Sequence, residues 1–532
     1  MRFCFLIPTA CLLLLAGCFE STPEAPKAPK AKPNLPAPTV VSVSPTDNGT
    51  TVSLRPTIEV RFSLAMDSAL GKTLPTDGNC TGVVQLSPDG FQTCAPLTRT
   101  GSADQQKAFQ FLPTDPLRRK ARYRLRVTTE ATSSKGAPLK SDYTTEDSFP
   151  TKWTITIGAS GDDLGLALLT DSAGQLLVSG ASRFENDDNV SEDGFLALYD
   201  AEGDQQWIQQ PGFGKLPNAL ALQPTDSGWR VGALLPGESG TTLALTSVGE
   251  TGTAEPPVEF IWRTAAQGSA LVLDPAGNLL SSGDTRQHLR VNHRRWDQRS
   301  SATLGSGLAV KALALHGRST LYAGGIVTGP LDGTPSTHTQ DGFVMKLSPS
   351  GVKRWSRRLP TAFRDAVTVL AASAEGVVAA GTTGGKLREN VSTLSEALES
   401  AQGDDAFVVR FDVQGNPAWL RQFGTEADER VHALVLSDNG TLAVGGSTQG
   451  TFPDQQTAGQ ADAFVSLFDL EGTLLWTQQF GSSGADEVRA LAFLPNGNLL
   501  ATGSTGGSLD GHTPQGGLDV FVVQYDAEGE RL

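Results

Sequence analysis

W-T-Q-Q-F-G (476–481), R-A-L-A-F (489–493), G-N-L-L-A-T-G (497–503) and D-V-F-V-V-Q-Y-D-A-E-G (519–529) follow one another in the last repeat of this sequence. The same order stands one repeat earlier, as W-L-R-Q-F-G (419–424), H-A-L-V-L (432–436), G-T-L-A-V-G-G (440–446) and D-A-F-V-S-L-F-D-L-E-G (462–472). Each block is a short apolar run bounded by Gly, Asp or Asn, which reads as a strand. Working outward, Trp153, Trp207, Trp262, Trp296, Trp355, Trp419 and Trp476 are spaced by 54, 55, 34, 59, 64 and 57 residues. Four strands per repeat at this period indicate the blades of a β-propeller.

This order of blocks resembles the SBBP family of bacterial β-propeller repeats across nearly all of residues 151–532, with eroded copies at 208–296. The chain ends at Leu532, where the next repeat Trp would fall at 533, while Trp153 sits in T-K-W-T-I-T-I-G (151–158) with no copy before it. Strand 152–157 is therefore expected to supply the outer strand of the final blade and to close a seven-bladed ring. Closure removes an exposed sheet edge that would template aggregation.

Upstream, residues 39–150 alternate with period two. T-I-E-V-R-F (57–62) places Ile58, Val60 and Phe62 on one face, and A-R-Y-R-L-R-V (121–127) places Tyr123, Leu125 and Val127 inward with three arginines outward. Such segments are half-buried antiparallel strands. With V-V-S-V-S-P-T-D-N-G-T-T-V (40–52), V-R-F-S-L-A-M-D (60–67) and F-Q-F-L-P (109–113), the segment resembles bacterial Ig-like domains, its F-S-x-x-M-D element being Phe62, Ser63, Met66 and Asp67. The resemblance implies a spacer or adhesion module. The fold class expected is all-β: an Ig-like β-sandwich (39–150) followed by the propeller (151–532).

The first residues set an address. Arg2 precedes an apolar run ending L-A-G-C (15–18), which is shorter than the ~20 residues a membrane-spanning helix needs. It reads as a secretory signal, residues 1–17. The end resembles the lipobox of bacterial lipoproteins, and that resemblance makes Cys18 the lipidation site. Phe19 follows, so the Asp that retains some lipoproteins in the inner membrane is absent and, in a Gram-negative host, an outer-membrane destination is expected. Residues 18–38 carry Pro every few positions and read as an extended tether. Its Lys27, Lys30 and Lys32 touch anionic headgroups or serve solubility alone. Cys4 and Cys11 leave with the signal, so Cys80 and Cys94 remain, and an even pair in an exported chain is expected as a disulfide.

Composition excludes other classes. With 58 Gly, 23 Phe and 8 Trp among 532 residues, the chain is neither a coiled coil nor disordered. A net charge of −15 argues against nucleic-acid binding, which needs clustered Lys and Arg. Residues 151–532 hold 25 Lys and Arg against 44 Asp and Glu, while 18–150 hold 16 against 13. The asymmetry turns the basic part toward an anionic membrane and the propeller outward.

No catalytic motif emerges. The six histidines, His288, His293, His316, His338, His432 and His512, are scattered, and no H-E-x-x-H, G-x-S-x-G or P-loop occurs. The acidic run 185–193 is a solvated loop or, without EF-hand spacing, a calcium attractor. Asp193, Asp341, Asp405, Asp462 and Asp519 each stand two before a Phe, and Asp163, Asp365, Asp428 and Asp486 open inner strands. Chemistry needs its groups once, so these repeated acids are expected to accept backbone N–H bonds at strand entries. Basic residues at 293–299 and 353–358 are expected on outer strands of neighbouring blades, as a docking patch or as edge protection.

Long, variable connections join second and third strands at about 182–192, 326–340, 382–403, 447–461 and 504–517. They are expected to stand as five tall walls with a gap over blades two and three, where a protein or glycan ligand sits. Neutral drift of these loops is the alternative. The function expected is that of a monomeric, lipid-anchored envelope protein with a non-enzymatic binding propeller and no cofactor or metal. The alternatives are a propeller enzyme acting on glycans, a lyase or hydrolase with a carboxylate pair in its funnel, and a scaffold of outer-membrane assembly.

Overall fold

The computed structural model describes residues 35–532, apart from 46–51, 71–77, 147, 187–188, 212, 214, 216, 218, 238–239, 262–269, 275–278, 283–287, 293–298, 304–306, 318–319, 333–339, 349–350, 360, 362, 388–399 and 513. Cys18 and the tether up to residue 34 thus lie outside the described residues, as do Trp262 and Trp296.

The N-terminal unit is a sandwich of two small sheets. One runs Val40–Ser44, Ile58–Phe62, Ala108–Pro113, Leu97–Ala103 in space, and the other pairs Val84–Ser87, Arg122–Val127 and Tyr143–Thr144, with Phe149–Pro150 also on Arg122–Val127. Their alternation buries Ile58, Val60, Phe62, Phe109, Phe111, Tyr123, Leu125 and Val127 in one core. Cys80 and Cys94 form the expected disulfide, with Cα atoms 4.9 Å apart. Closing so short a loop contributes about 3 kcal/mol in the chain-entropy picture.

The rest of the chain is all-β and propeller-like. Among the described residues seven four-stranded antiparallel sheets follow in chain order. Their first strands are Asp163–Thr170, Ala219–Thr225, Ala270–Leu273, Leu308–His316, Asp365–Ser373, Glu429–Leu436 and Asp486–Phe493. The seventh sheet has only three strands of its own and takes its outer one from far upstream: Thr154–Ile157 pairs with Asp519–Tyr525, Val520 opposite Ile157 and Val523 opposite Thr154. The innermost strands lie side by side, and Asp163–Thr170 touches both Ala219–Thr225 and Asp486–Phe493.

The repeated tryptophans explain how one sheet holds the next. Among the described residues five of them sit on or directly before an outer strand, and the indole N–H of each donates to a carbonyl in the turn that follows the third strand of the next sheet. Trp207 reaches Glu250 at 2.8 Å, Trp355 reaches Val413 at 3.1 Å, Trp419 reaches Leu470 at 2.7 Å and Trp476 reaches Ala527 at 3.0 Å. Trp153, directly before the borrowed strand of the seventh sheet, makes the same bond at 3.0 Å to Glu202 of the first. In each case the ring covers a positive-φ glycine of that turn: Gly203, Gly252, Gly415, Gly472 or Gly529. A Cβ at Gly472 would come within 2.6 Å of the Trp419 ring, so the turn needs glycine for space as well as for φ.

The two units join without a free linker. Val52 bridges Thr151, the Leu54 N–H donates to the Asp510 carbonyl at 3.0 Å, and the Arg119 guanidinium donates to the carbonyls of Thr154 and Gly203. Asp510, in the connection from Thr505 to Asp519, is almost fully buried and ion-paired to Lys152 at 3.0 Å and to Arg531, with a hydrogen bond from Thr154 Oγ1. These two cations hold its carboxyl below the usual range against the opposing effect of burial.

The long connections do not stand as walls where they are described. Each lies down over the outer strand of its own sheet. Phe452 is buried, with its N–H on Gln479 Oε1 at 2.9 Å; the Leu387 N–H reaches Gln422 Oε1 at 2.6 Å; Asp332 receives Lys353 and Ser356; and His512 Nδ1 meets Thr156 Oγ1 at 2.8 Å. Covering the edge strand hides its unpaired backbone groups, which outweighs exposure of the loop. Most of the first connection is strand as well: Leu176–Asn186 and Asn189–Tyr199 pair along their whole length. Residues 388–399 lie outside the described residues.

A central cavity as candidate binding site

The repeated acids are spent within the fold. Asp462 accepts the Ala458 and Gly459 N–H groups at 2.9 and 3.1 Å, Asp519 accepts Gln515 N–H at 2.9 Å, Asp193 accepts Phe213 N–H at 2.9 Å, and Asp163 accepts Ala159 N–H at 2.6 Å. Outer-strand side chains also reach these acids: Gln422 donates to Asp405 at 2.6 Å and Arg358 to Asp341 at 2.9 Å. Asp428 is not the member of the inner set in its repeat. Its neighbour Glu429 is fully buried and accepts Thr425 N–H at 2.7 Å and Thr448 O–H at 2.6 Å.

Inner and third-strand acids face each other between consecutive sheets. Asp341 with Asp365, Asp405 with Glu429, Asp462 with Asp486, and Asp519 with Asp163 are such pairs, and in each the third-strand acid adds to the raised pKa of the inner one. Burial is the larger cause in every case and lifts Asp163, Asp486, Asp519 and Glu429; Asp365 is pushed up to about 7.

The basic outer strand is also committed. Lys353–Leu359 places Arg358 against buried Asp341, Lys353 against Asp332, and Arg357 over the Trp355 ring. This favours edge protection there. Residues 293–298 lie outside the described residues.

What does not repeat gathers on the axis. A cavity of about 420 Å³ is lined by the innermost strands of all seven sheets. In five of them the pairing with the second strand slips by one residue, between Gly165 and Ala167, Val310 and Ala312, Val367 and Val369, Val431 and Ala433, and Val488 and Ala490. Such a bulge re-aims the extra side chain. The extra residues are Leu166, Lys311, Thr368, His432 and Arg489, and all five line the cavity. Going round, sheets one to three contribute Leu166, Leu220, Ala270 and Leu271, whereas sheets four to seven contribute the polar Lys311, Thr368, His432 and Arg489. The cavity is thus apolar on one side and cationic on the other. Leu313, Leu370, Leu434 and Leu491 line it beyond the bulges.

Glu487 orders the cationic side. One oxygen accepts Arg489 at 2.7 Å and Ser504 O–H at 3.2 Å, and the other stands 3.5 Å from His432 Nε2. Burial pushes the His432 pKa down, Arg489 and Arg430 add to this, and Glu487 opposes it. Lys311 is exposed, and among the described residues no carboxylate pairs with it. Reading the histidines as scattered missed this constellation. The signal was available: one position in each inner strand carries Leu, Lys, Thr, His or Arg while its neighbours repeat.

Comparison with known proteins bears on the architecture. Residues 36–154 match the family model of the bacterial Ig-like domain. A stretch of 183 residues is 30% identical to the regulatory protein FlaEY of Caulobacter vibrioides; it is 33% of this chain and 19% of that protein, so the chain spans about a fifth of that relative's length. Among solved structures, a streptogramin B lyase aligns with a TM-score of 0.41 at 11% identity, over 69% of this chain and 97% of its own. The β-propeller domain of the Trilobed protease of Pyrococcus furiosus aligns with a TM-score of 0.37 at 7% identity, over 69% and 92%.

Proposed function

We propose that this protein is a lipid-anchored component of the bacterial cell envelope, in which an Ig-like base presents a seven-bladed propeller, closed by Thr154–Ile157, as a non-enzymatic binding module. The observation that carries this reading is the division of polar residues. Those that recur are used up between blades, while those that vary converge on the central cavity. Binding sites reside where a rigid repeat scaffold varies.

The bulges fall near the Asp365, Glu429 and Asp486 ends of their strands, on the face that carries the second-to-third connections. The ligand, a protein or glycan of the envelope, enters from that face. Blade two leaves it open, because only two residues join Gly228–Gly237 to Gly240–Gly249. The apolar side of the cavity lies beneath this gap.

The placement of His432 beside Glu487 and Arg489 favours a second reading, a propeller enzyme acting on envelope glycans. One experiment separates the two. The mature protein and its Arg489→Ala variant are each immobilised and exposed to envelope extract. A binding module retains a species unchanged, and the variant loses it. Release of a chemically altered product by the parent alone supports the enzyme. Equal retention by both variants removes the cavity from the function.

The anchor has its own test. Cys18→Ser is expected to abolish incorporation of a clickable fatty acid and to leave the precursor uncut, read by gel fluorescence and mass. Undiminished label on the variant overturns the anchor.

A further inference from the structure

The reading of the cavity as a binding site deepens once its charges are placed. We propose that the cavity receives a small organic carboxylate, its anionic group between Lys311 and Arg489 and its apolar body against Leu166, Leu220 and Leu271. This inference rests on the binding-module reading above.

Three observations carry it. First, the charged side chains of the lining, taken with the carboxylate ion-paired to Arg489, leave one positive unit. Lys311 and Arg489 each bring a cation to the lining, Glu487 beside Arg489 cancels one of them, and half-buried His432 is held below its ordinary pKa, chiefly by burial, which works against a further charge there. A monoanion completes that count, whereas a dianion leaves a charge unpaired in a partly desolvated site, which is costly. Arg430 is exposed and stands outside the lining.

Second, the Arg489 guanidinium is held in place. Its Nε and Nη2 are both on Glu487, which Ser504 also holds, so the side chain of this lining residue is ordered before any ligand arrives. A pre-oriented guanidinium binds a carboxylate at a smaller entropic cost than a free one. Thr368 spends its hydroxyl on the Val431 carbonyl at 2.7 Å, and so shapes the wall rather than contacting the ligand.

Third, the opposite wall is built from aliphatic side chains of sheets one to three, with Leu313, Leu370, Leu434 and Leu491 lining the cavity beyond the polar residues. A volume of about 420 Å³ suits a molecule with a ring or short chain attached to its carboxylate. A fully hydrated anion such as phosphate would leave this wall bare and wet.

The test uses the mature protein with phenylacetate, phenylacetamide and inorganic phosphate as probes, followed by calorimetry and ligand-observed NMR. Phenylacetate is expected to bind with a Kd on the order of 1 mM or tighter. The neutral amide and phosphate are expected to bind at least about tenfold more weakly. Lys311→Ala is expected to weaken phenylacetate about tenfold, and Arg489→Ala more, since it leaves Glu487 facing the anion. Leu220→Asp, which puts a negative charge on the apolar wall, should also abolish binding, while circular dichroism confirms that each variant is folded. The assignment is overturned if phenylacetate fails to bind, if the amide binds as well, if phosphate binds better, or if Lys311→Ala is without effect. Retention of an envelope species that depends on Arg489 while phenylacetate fails overturns the carboxylate assignment and leaves the binding-module reading standing.

Discussion

Trp153→Ala is expected to lower the melting temperature further than Trp419→Ala and to produce oligomers that the second variant does not. Both substitutions empty a site of the same design: a buried indole covering a glycine turn and donating to a carbonyl of the next sheet. Removing a buried tryptophan costs about 3–5 kcal/mol in either place. The consequences differ because the strands behind them differ. Trp419 lies on Pro417–Phe423, which is tied to its neighbour Ser400–Asp412 by a tight turn. Trp153 precedes Thr154–Ile157, whose partner Asp519–Tyr525 lies at the far end of the chain. Nothing covalent and local holds that seam.

Once the Trp153 latch is gone, the borrowed strand can leave, and Asp519–Tyr525, fully buried in the native protein, becomes an open edge. Thermal unfolding followed by tryptophan fluorescence, with light scattering beside it, reads both effects. Equal melting temperatures and no scattering from either variant would mean that the ring is not held at this seam. The Ig-like unit is expected to feel the change as well, because Arg119 bonds the Thr154 carbonyl and Lys152 pairs with Asp510 across the junction.

This architecture was visible in the sequence to different depths. The strands were visible because each block carries its own signal: alternation, then Gly or Asp. The borrowed strand was visible because T-I-T-I matches no neighbour and the last repeat lacks a partner. The tryptophan latches were not, since each partner carbonyl lies in the next repeat, in a turn whose sequence says only that it is a turn. The bulges were hidden for another reason. An inserted residue on an inner strand shifts the alternation by one, so Val431-His432-Ala433 reads as an ordinary apolar strand with a stray histidine. Long connections announce their length but not their direction. Gln422 and Gln479, which pull them down over the outer strands, look like exposed polar residues of those strands. At Glu429 two acids stand in a row, and only the packing selects the second.

The paired acids between sheets give the propeller a pH dependence of unusual sign, and Asp365→Asn isolates it. Asp365 is buried beneath hydrogen bonds from Thr361 and Thr383 and faces the like charge of Asp341. Burial, the largest cause, lifts its pKa to about 7, above the roughly 3.9 of an unfolded chain. The folded protein therefore holds this proton more tightly than the unfolded one. Its contribution is fully present below about pH 4 and is lost as the pH rises through about 7, after which it no longer changes. The shift corresponds to stability lost on the order of 4 kcal/mol across that window. Asp163, Asp405, Glu429, Asp486 and Asp519 are raised in the same direction, so the parent should melt higher at pH 5 than at pH 8. Asp510, held low by Lys152 and Arg531, works the other way, and its contribution disappears only when the pH falls through its depressed value. Asparagine keeps the shape and an acceptor for Thr361 but carries no charge. The variant is expected to match or exceed the parent at pH 8, to fall below it at pH 5, and to flatten the pH profile. Denaturant unfolding at both pH values measures the difference directly. A variant that loses the same stability at pH 5 and pH 8 would show that Asp365 is already ionised throughout, held by its threonines rather than by a proton.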